Sequence, residues 1–527
     1  MKKIFIILLI INVIVISLAT ILVRNQSTEP KIELLKRKFG KKHIPSVDHT
    51  KFAILQQQFN TPQDVTKACL SCHTERGKEF MHTSHWQWAR EEYIKGRGVV
   101  KLGKKNILNN FCIGISGSEQ SCNRCHAGYG WGDKKFDFTK QENIDCLVCH
   151  DNSGEYTKAT GGAGMPDSSV NLTKVAQHVG QTQKANCGSC HFFGGGGNNV
   201  KHGDLEKAQL DCSRDVDVHM SGEGTDLRCA DCHTTDHHVI KGKMYSVSSM
   251  NKDRISCAQC HTQTPHKDNI INEHSVKVSC QACHIPTYAK VNSTKMTWDW
   301  SKAGKLKDGE EIEEDDSLGN HTYMSIKGKF TWGRNVVPEY TWFNGTADHY
   351  IMGDKVDTAK PININTLHGD YSDPNAQIIP VKVHRAKQIY DTKYNQIIEP
   401  KLFSAKKGDG GYWKDFNWDT AAKLGMESIG KKYSGHHAFV RTQMYWPLNH
   451  MVSPSEKSVS CIECHSSDGR LKNLTGFYLP GRDENSTVEF IGIGAIVTSI
   501  LGVIIHALVR IFSNAKRNRK SNTLKEE

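Results

Sequence analysis

The sequence has few apolar residues between its two ends. Only 37% of its 527 residues are hydrophobic, and two dense apolar runs at the termini hold a good share of these. The middle of the chain is poor in long apolar stretches and rich in Gly, Lys, His and Cys. This composition argues against an ordinary aliphatic core. Something other than aliphatic side chains must fill the interior.

The cysteines indicate what fills it. Sixteen of the 18 form eight C-x-x-C pairs, each followed at once by His. C-x-x-C-H attaches c-type haem: the thiols form thioethers to the porphyrin, and the adjacent His is positioned to bind the iron. A bare C-x-x-C is also found in zinc ribbons, redox dithiols and disulfide frameworks, but none of these requires the following His. The eight motifs are Cys69/Cys72/His73, Cys122/Cys125/His126, Cys146/Cys149/His150, Cys187/Cys190/His191, Cys229/Cys232/His233, Cys257/Cys260/His261, Cys280/Cys283/His284 and Cys461/Cys464/His465.

The motifs follow no fixed period, which excludes a solenoid. Seven of them fall between residues 69 and 284, and 176 Trp-rich residues without a motif precede the eighth. We expect a mainly α fold with much irregular loop, organised around eight packed haems, plus a C-terminal transmembrane helix. The predicted segments are a signal peptide or N-terminal anchor (1–24), a polar lead-in (25–68), a seven-haem region with the active-site haem (69–285), a Trp-rich helical region with the eighth haem (286–487), a transmembrane helix (488–512) and a basic cytoplasmic tail (513–527).

Both termini point to the membrane. Lys2 and Lys3 precede an apolar run at 4–23, which fits either a cleaved secretory signal or a retained anchor, and both imply export. A second apolar run at 490–509 is followed by a basic cluster, which predicts a transmembrane helix ending in the cytoplasm. His506 inside this run is either a functional intramembrane residue or one near the interface. We therefore expect a protein of the cytoplasmic membrane with its catalytic part on the extracytoplasmic side.

The net charge of +12 does not indicate nucleic-acid binding. Each haem carries two propionates, so eight haems would bring the net charge from +12 to about −4. The surplus Lys and Arg are better interpreted as propionate partners. A Ca²⁺ site cannot be read from the sequence.

Nineteen histidines outside the motifs supply candidates for the second axial ligand of each iron. A chain that only carries electrons would place a second ligand on every haem, whereas an enzyme must leave one iron with an open or displaceable position. Sequence separation cannot decide which His reaches which iron, and His82, His237, His266, His368 and His437 are close rivals to the chosen set. The candidates chosen are His85, His202, His219, His238, His274, His384 and His450.

Several segments resemble the octahaem tetrathionate reductase family, which is related to the multihaem nitrite reductase and hydroxylamine oxidoreductase group. The resemblance covers roughly residues 50–485. The segments that carry it are N-N-F-C-I at 109–113, G-G-G-G at 194–197, V-K-H-G-D-L at 200–205, C-Q-A-C-H-I-P at 280–286, M-T-W-D-W-S-K-A-G at 296–304 and G-F-Y-L-P-G-R-D at 476–483.

The resemblance implies that the haem at Cys122/Cys125 is catalytic and that Lys201 is its unusual axial ligand. It also places Cys112 beside that haem, where a thiol would serve sulfur chemistry or proton supply. Asn198 stands where the family pattern has an acid, which affects substrate choice and pH dependence. Cys212 lies outside the family pattern and is either a buried thiol or a disulfide partner of Cys112.

The implied function is reduction of a small sulfur or nitrogen oxyanion, with tetrathionate, nitrite and hydroxylamine as candidates. The expected partners are a small anionic substrate, the membrane, and a quinol-oxidising or other redox protein, with no nucleic acid. Two alternatives stay open from the sequence: a non-enzymatic electron conduit in the periplasm, and an enzyme that oxidises hydroxylamine. Physiological substrate and reaction direction cannot be read from the residues.

Overall fold

The structure is a computed structural model that describes residues 47–111, 113–243 and 248–523. The predicted signal peptide or anchor at 1–24 and the candidate residue Cys112 lie outside the described residues. Contacts divide the chain into two units, Met1–Val459 and Ser460–Glu527. Seven of the haem motifs belong to the first unit and the eighth to the second.

The helices are short, and most motif cysteines lie on them or at their ends. The first helix shows the local cause: the Thr61 side chain accepts a hydrogen bond from the Asp64 amide, and Pro62 occupies the first turn. That helix ends at Cys72, so the first motif sits on its last turn. The helices are α1 Pro62–Cys72, α2 Arg76–Met81, α3 Ser84–Gln87, α4 Glu119–Cys122, α5 Leu147–His150, α6 Leu172–Gln177, α7 Lys184–His191, α8 Cys229–Cys232, α9 Asn269–His274, α10 Cys280–His284, α11 Tyr412–Asp415, α12 Trp418–Ser428, α13 Cys461–Cys464 and α14 Ser486–Thr523.

The expectation of a mainly α fold is wrong. Helices hold 28% of the residues and strands 20%, with most strand residues in one large sheet. The strands are β1 Arg90–Ile94, β2 Gly98–Leu102, β3 Thr235–Asp236, β4 Val239–Ile240, β5 Thr294–Asp299, β6 Leu306–Lys307, β7 Glu310–Glu311, β8 Glu313–Asp315, β9 His321–Met324, β10 Gly328–Gly333, β11 Glu339–Phe343, β12 Ala347–His349, β13 Ile362–Asn363, β14 Asn365–Leu367, β15 Gln377–Asp391, β16 Gln396–Ile397 and β17 His437–Pro447.

The large sheet has nine strands and is built from the segment between the seventh and eighth motifs. Its order is β13-β17-β15-β5-β10-β9-β8, and β11 and β16 also pair with β15. Strands β15 and β17 pair antiparallel over eleven residues, from Val381 opposite Pro447 to Asp391 opposite His437. On the other side β15 runs parallel to β5. Tryptophans of this segment, including Trp298, Trp300 and Trp446, are buried in the core beside the sheet.

Strand β15 explains why the sheet was hard to predict. Successive residues of a strand ordinarily alternate between a buried and a solvent-facing side, but here eleven of the fifteen residues are buried, including Lys382, His384 and Gln388. A pattern of apolar and polar residues usually indicates one solvated face. Here the polar residues face other parts of the chain instead.

Helix α14 is long and apolar enough to cross a membrane. Its candidate span is Ser486–Ala515, with a mean hydropathy of 2.3. None of the apolar window is buried within the protein. A helix with no protein covering its apolar side chains is compatible with a lipid environment.

Candidate haem-binding and active site

Five motif histidines each lie opposite a second histidine at nearly the same spacing. An imidazole nitrogen lies about 2 Å from a bound metal and the ring centre about 1 Å further, so two imidazoles on one iron should have centres roughly 6 Å apart. The observed spacings run from 6.1 to 6.4 Å. The residues therefore fit bis-histidine haem iron. The pairs are His73 with His49, His191 with His85, His261 with His219, His233 with His450, and His284 with His266.

Hydrogen bonds fix the ring orientation of three motif histidines. Nδ1 of His150 bonds the Gly180 carbonyl at 2.9 Å, and Nδ1 of His233 bonds the Lys241 carbonyl at 2.9 Å. In the second unit, Nδ1 of His465 bonds the Pro480 carbonyl at 3.0 Å. A carbonyl on Nδ1 selects the tautomer that leaves Nε2 with its lone pair for a metal.

His126 of the second motif is oriented the other way. Its Nε2 lies 2.7 Å from the Trp86 carbonyl, and within the described residues its buried Nδ1 has no hydrogen-bond partner. Five aromatic rings surround it at 4.8 to 5.9 Å: Trp86, Trp88, Trp131, Phe136 and Phe138. Burial lowers the pKa of His126 to about 3, so the ring is neutral. The nitrogen that other motif histidines offer to iron is used here for a backbone contact.

The sequence candidates for second ligands fall into several environments. His85, His219 and His450 belong to the pairs described above. His238 lies near His150, and its Nδ1 is 3.2 Å from Glu79 Oε2. His274 directs Nδ1 to the Ile270 carbonyl at 2.7 Å, which leaves Nε2 facing away from its own helix.

His202 and His384 are placed elsewhere. The His202 ring lies 5.2 Å from Trp446, and burial lowers its pKa to about 3. The His384 ring stacks on Phe111 at 4.0 Å and is fully buried. Across the part of the chain that the structure describes, neither ring contacts a motif histidine. The geometry therefore does not support either residue as a second ligand.

Sequence reasoning missed His49 and kept His266 only as a rival. His49 precedes the first helix in a polar segment, with no pattern that marks it as a ligand. His266 follows the sixth motif by five residues but lies opposite the histidine of the seventh. No local signal would have separated them from ordinary surface histidines, because chain folding alone determines the pairing.

Thiols of different motifs lie close together and link the motifs into a path. The thiols of motifs 1 and 3, 2 and 4, 4 and 5, and 6 and 7 lie close enough to shift one another's pKa. Electrostatic contacts also join motif 3 to 4 and motif 5 to 6. The path runs through motifs 1, 3, 4, 5, 6 and 7, with motif 2 as a branch at motif 4. The contacts are Cys69 with Cys146, Cys149 with Cys187, Cys125 with Cys190, Cys187 with Cys229, Cys232 with Cys260, and Cys257 with Cys280.

Lys201 is brought to the second motif. Its charge acts on the thiol of Cys125, and its Nζ lies 5.0 Å from the centre of the Trp446 ring. The glycine run packs against its methylene stem: a Cβ at Gly194 would lie 3.1 Å from the Lys201 Cδ. Gly195 has a φ of +83°, which an L side chain rarely adopts. The loop can therefore approach this stem closely only because its residues lack side chains.

Two residues named in the sequence analysis remain, Asn198 and Cys212. The Asn198 side-chain oxygen accepts a hydrogen bond from the Lys207 amide at 2.8 Å. Asn198 therefore helps to shape the loop before Lys201. Cys212 is buried, and burial raises its thiol pKa. Whether it bonds Cys112 stays a prediction, because Cys112 lies outside the described residues.

Comparison with known proteins finds similarity to c-type cytochromes. Residues 295–468 match the family described as "Cytochrome c bacterial", and residues 68–151 match "Cytochrome c554 and c-prime". The structure is similar to the crystal structure of octaheme cytochrome c from Shewanella oneidensis, with a TM-score of 0.75 and 45% sequence identity, covering 81% of this chain and 95% of that one. An uncharacterized protein of Archaeoglobus fulgidus is 25% identical over 245 residues, which cover 36% of this chain and 80% of that protein.

Proposed function

Because this chain belongs to the octahaem cytochrome c family, with covalently bound c-type haems and a redox function, we propose that it is a membrane-anchored reductase of a small sulfur or nitrogen oxyanion. The candidate substrates are tetrathionate, nitrite and hydroxylamine. The proposed catalytic haem is the one attached at Cys122 and Cys125, with Lys201 as its axial ligand. Haem iron supplies electrons one at a time and an axial position at which a small molecule can bind.

Bis-histidine ligation is proposed for the haems that carry electrons. The spacing of the five histidine pairs supports this assignment for motifs 1, 4, 5, 6 and 7. The proximity of His238 to His150 supports the same assignment for motif 3. An iron with two histidine ligands has no position for a substrate, so these haems serve transfer alone.

The orientation of His126 is the observation that carries the proposal. Its Nε2 is held by the Trp86 carbonyl, which supports a second motif whose histidine does not bind iron through Nε2. Lys201 approaches the same motif. If Lys201 alone is the protein ligand to this iron, the opposite axial position is left for substrate. This differs from the sequence-based expectation, in which Lys201 sits opposite His126.

The charges near the second motif favour an anionic substrate. The charges of Lys104, Lys158 and Lys201 all act on the Cys125 thiol. Lys105 lies above the Phe138 ring at 3.4 Å, beside the aromatic enclosure of His126. Lys104 and Lys105 are cations beside this motif and raise the local concentration of anions, whereas the charge of Lys158 is balanced by Asp145 at 2.8 Å. Lys201 must be neutral to bind iron.

The thiol path supports the same end point for electrons. Motif 2 is a branch that contacts motif 4, so electrons entering anywhere along motifs 1 to 7 can reach it through motif 4. Helix α14 supports membrane anchoring, with a quinol-oxidising or other redox protein as the proposed electron donor. The catalytic part is proposed to lie on the extracytoplasmic side. Active roles for Cys112 and Asn198 stay predictions.

The test replaces Lys201 by Met in the full-length holoprotein, with Lys207→Met as the matched control. Lys207 is an exposed lysine of the same segment. EPR and magnetic circular dichroism should show one iron with amine ligation in the native protein and the control, and none in Lys201→Met. Turnover of nitrite, hydroxylamine and tetrathionate is measured in parallel. Equivalent bis-histidine signals from every iron, with negligible turnover in all three proteins, would favour an electron conduit instead.

A further inference from the structure

Lys382 is a buried lysine that donates hydrogen bonds to the segment around Lys201 and to Thr294, which itself bonds that segment. It lies on strand β15 and has no solvent exposure. Its Nζ donates to the Val200 carbonyl at 2.9 Å, to the Lys201 carbonyl at 2.9 Å and to the Thr294 Oγ1 at 2.6 Å. These three oxygens are the hydrogen-bond acceptors of the Lys382 amine among the described residues.

The neighbours of Lys382 extend these contacts to both sides of Lys201. The Thr294 hydroxyl donates to the Asn199 carbonyl at 2.6 Å, which leaves its oxygen to accept from Lys382. Three consecutive carbonyls, from Asn199 to Lys201, are therefore held from one side. Trp446 stands directly opposite Lys382 on strand β17, and its ring lies 5.0 Å from the Lys201 Nζ. The backbone and the side-chain end of Lys201 thus both rest on one pair of strands.

Burial of a lysine needs a reason, because an uncompensated buried charge is strongly unfavourable. Lys382 does not form an ion pair within 4 Å among the described residues, and its acceptors are two carbonyls and one hydroxyl. A Met at this position would fill similar space without the cost of burying an amine. The lysine adds two bonds to this short segment and a third to Thr294, which also bonds the segment.

We propose that Lys382 is a positioning residue that fixes the Val200–Lys201 backbone so that the Lys201 amine reaches, and returns to, the iron of the second motif. This inference rests on the proposed function, since it takes Lys201 as the axial ligand. Lys382 itself does not touch substrate or iron in this proposal. It acts through the carbonyls of residues 200 and 201.

The experiment compares Lys382→Met with a matched control, Lys295→Met. Lys295 is also a buried lysine of the same sheet, and its Nζ lies above the rings of Trp298 and Phe330. The readout is the ratio of amine-ligated to amine-free iron at the catalytic haem, from EPR and magnetic circular dichroism of full-length holoprotein. Mass spectrometry confirms equal haem loading in each variant.

For Lys382→Met we expect this ratio to fall roughly tenfold, the scale of the hydrogen bonds lost to residues 200 and 201. Lys295→Met should leave the ratio unchanged. Thr294→Val, which removes one acceptor and keeps the shape of the side chain, should lower it by a smaller factor. Thr294→Val carries the test alone if Lys382→Met does not fold, and an unchanged ratio there then overturns the proposal.

Failure of the inference and failure of the proposed function give different results. If Lys201→Met abolishes amine ligation while Lys382→Met matches the native protein, the positioning role is wrong and the ligand assignment stands. An equal loss in Lys382→Met and Lys295→Met also overturns the positioning role, because it indicates general loosening of the sheet. If Lys201→Met leaves the spectra unchanged, the ligand assignment itself fails, and the inference fails with it.

Discussion

Replacing Asp204 by Asn should raise the potential of one haem, the one attached at Cys229 and Cys232. Asp204 is 3% exposed, and its Oδ2 lies 3.2 Å from Nδ1 of His450, the histidine opposite His233. A carboxylate on the far nitrogen of an axial imidazole strengthens the ligand and favours the more positive, oxidised iron. Removing this negative charge removes that preference, so reduction becomes easier.

The magnitude follows from the distance. The 3.2 Å contact plus about 4 Å across the ring places the carboxylate about 7 Å from a ligated iron. At an effective dielectric constant of about 20, one unit charge at that distance contributes about 2.4 kcal/mol. One tenfold change in equilibrium corresponds to about 59 mV for a single electron, so the expected shift is roughly +100 mV.

The assay is an optical and EPR-monitored redox titration of the holoprotein, in which one of the haem potentials should move. Asn keeps an oxygen that can accept from the Asn449 and His450 amides, which Asp204 now does at 2.8 and 3.0 Å, so the local fold should persist. Asp391→Asn is the matched control, since Asp391 is equally buried and its acceptor bonds go to Tyr394 and Ser434. A downward shift, or no shift beyond that of the control, would refute the assignment of His450 as an axial ligand.

Three further predictions test other parts of the molecule. Replacing His266 by Met should raise the potential of the haem at Cys280 and Cys283, because methionine ligation raises haem potentials; an unchanged redox titration would remove His266 as a ligand. Burial raises the pKa of Glu399 to about 8, above an unfolded value of 4.5, so the folded state binds the extra proton between these values. Stability conferred by this group is complete below about pH 4.5 and is lost, by about 1.4 kcal/mol per pH unit, as pH rises to about 8. Glu399→Gln should flatten that slope in denaturant titrations, and an undiminished slope would assign it to other groups. A chain ending before residue 486, with residues 1–24 replaced by a cleavable export signal, should leave the membrane fraction with its haems retained, and continued sedimentation with membranes would contradict anchoring through α14.

The sequence specified the haem attachment sites because each is a local covalent pattern. Cys-x-x-Cys-His needs no tertiary contact to be recognised, and the comparisons confirm the octahaem family and the covalent haems. The second ligands are a tertiary property. His450 and His233 are more than 200 residues apart in the sequence and come together only in the folded chain. His49 lies in a segment with no distinguishing pattern, and only its approach to His73 identifies it.

The large sheet was missed for a related reason. Strand β15 reads as apolar residues interrupted by Lys382, His384 and Gln388, which suggests neither a fully apolar buried strand nor a regular solvated face. Two of these polar residues bond distant segments: Lys382 donates to the carbonyls of residues 200 and 201, and the Gln388 amide donates to the Asn109 carbonyl at 2.7 Å. These contacts cross long stretches of sequence. Local periodicity could not reveal them.

The placement of the sheet beside the second motif has a physical rationale. If a substrate binds at one side of an iron, the protein ligand on the other side of that iron must keep its position. A loop held only by its own glycines would let the Lys201 amine occupy many positions. Restricting the amine to one of them on binding would then cost conformational entropy. Strands β15 and β17 remove that freedom, since Lys382 holds the backbone of Lys201 and Trp446 contacts its side-chain end. Rigid elements position reactive groups more accurately than loops do. On this argument the flexible glycine run gives Lys201 close access to the second motif, and the sheet determines where its amine rests.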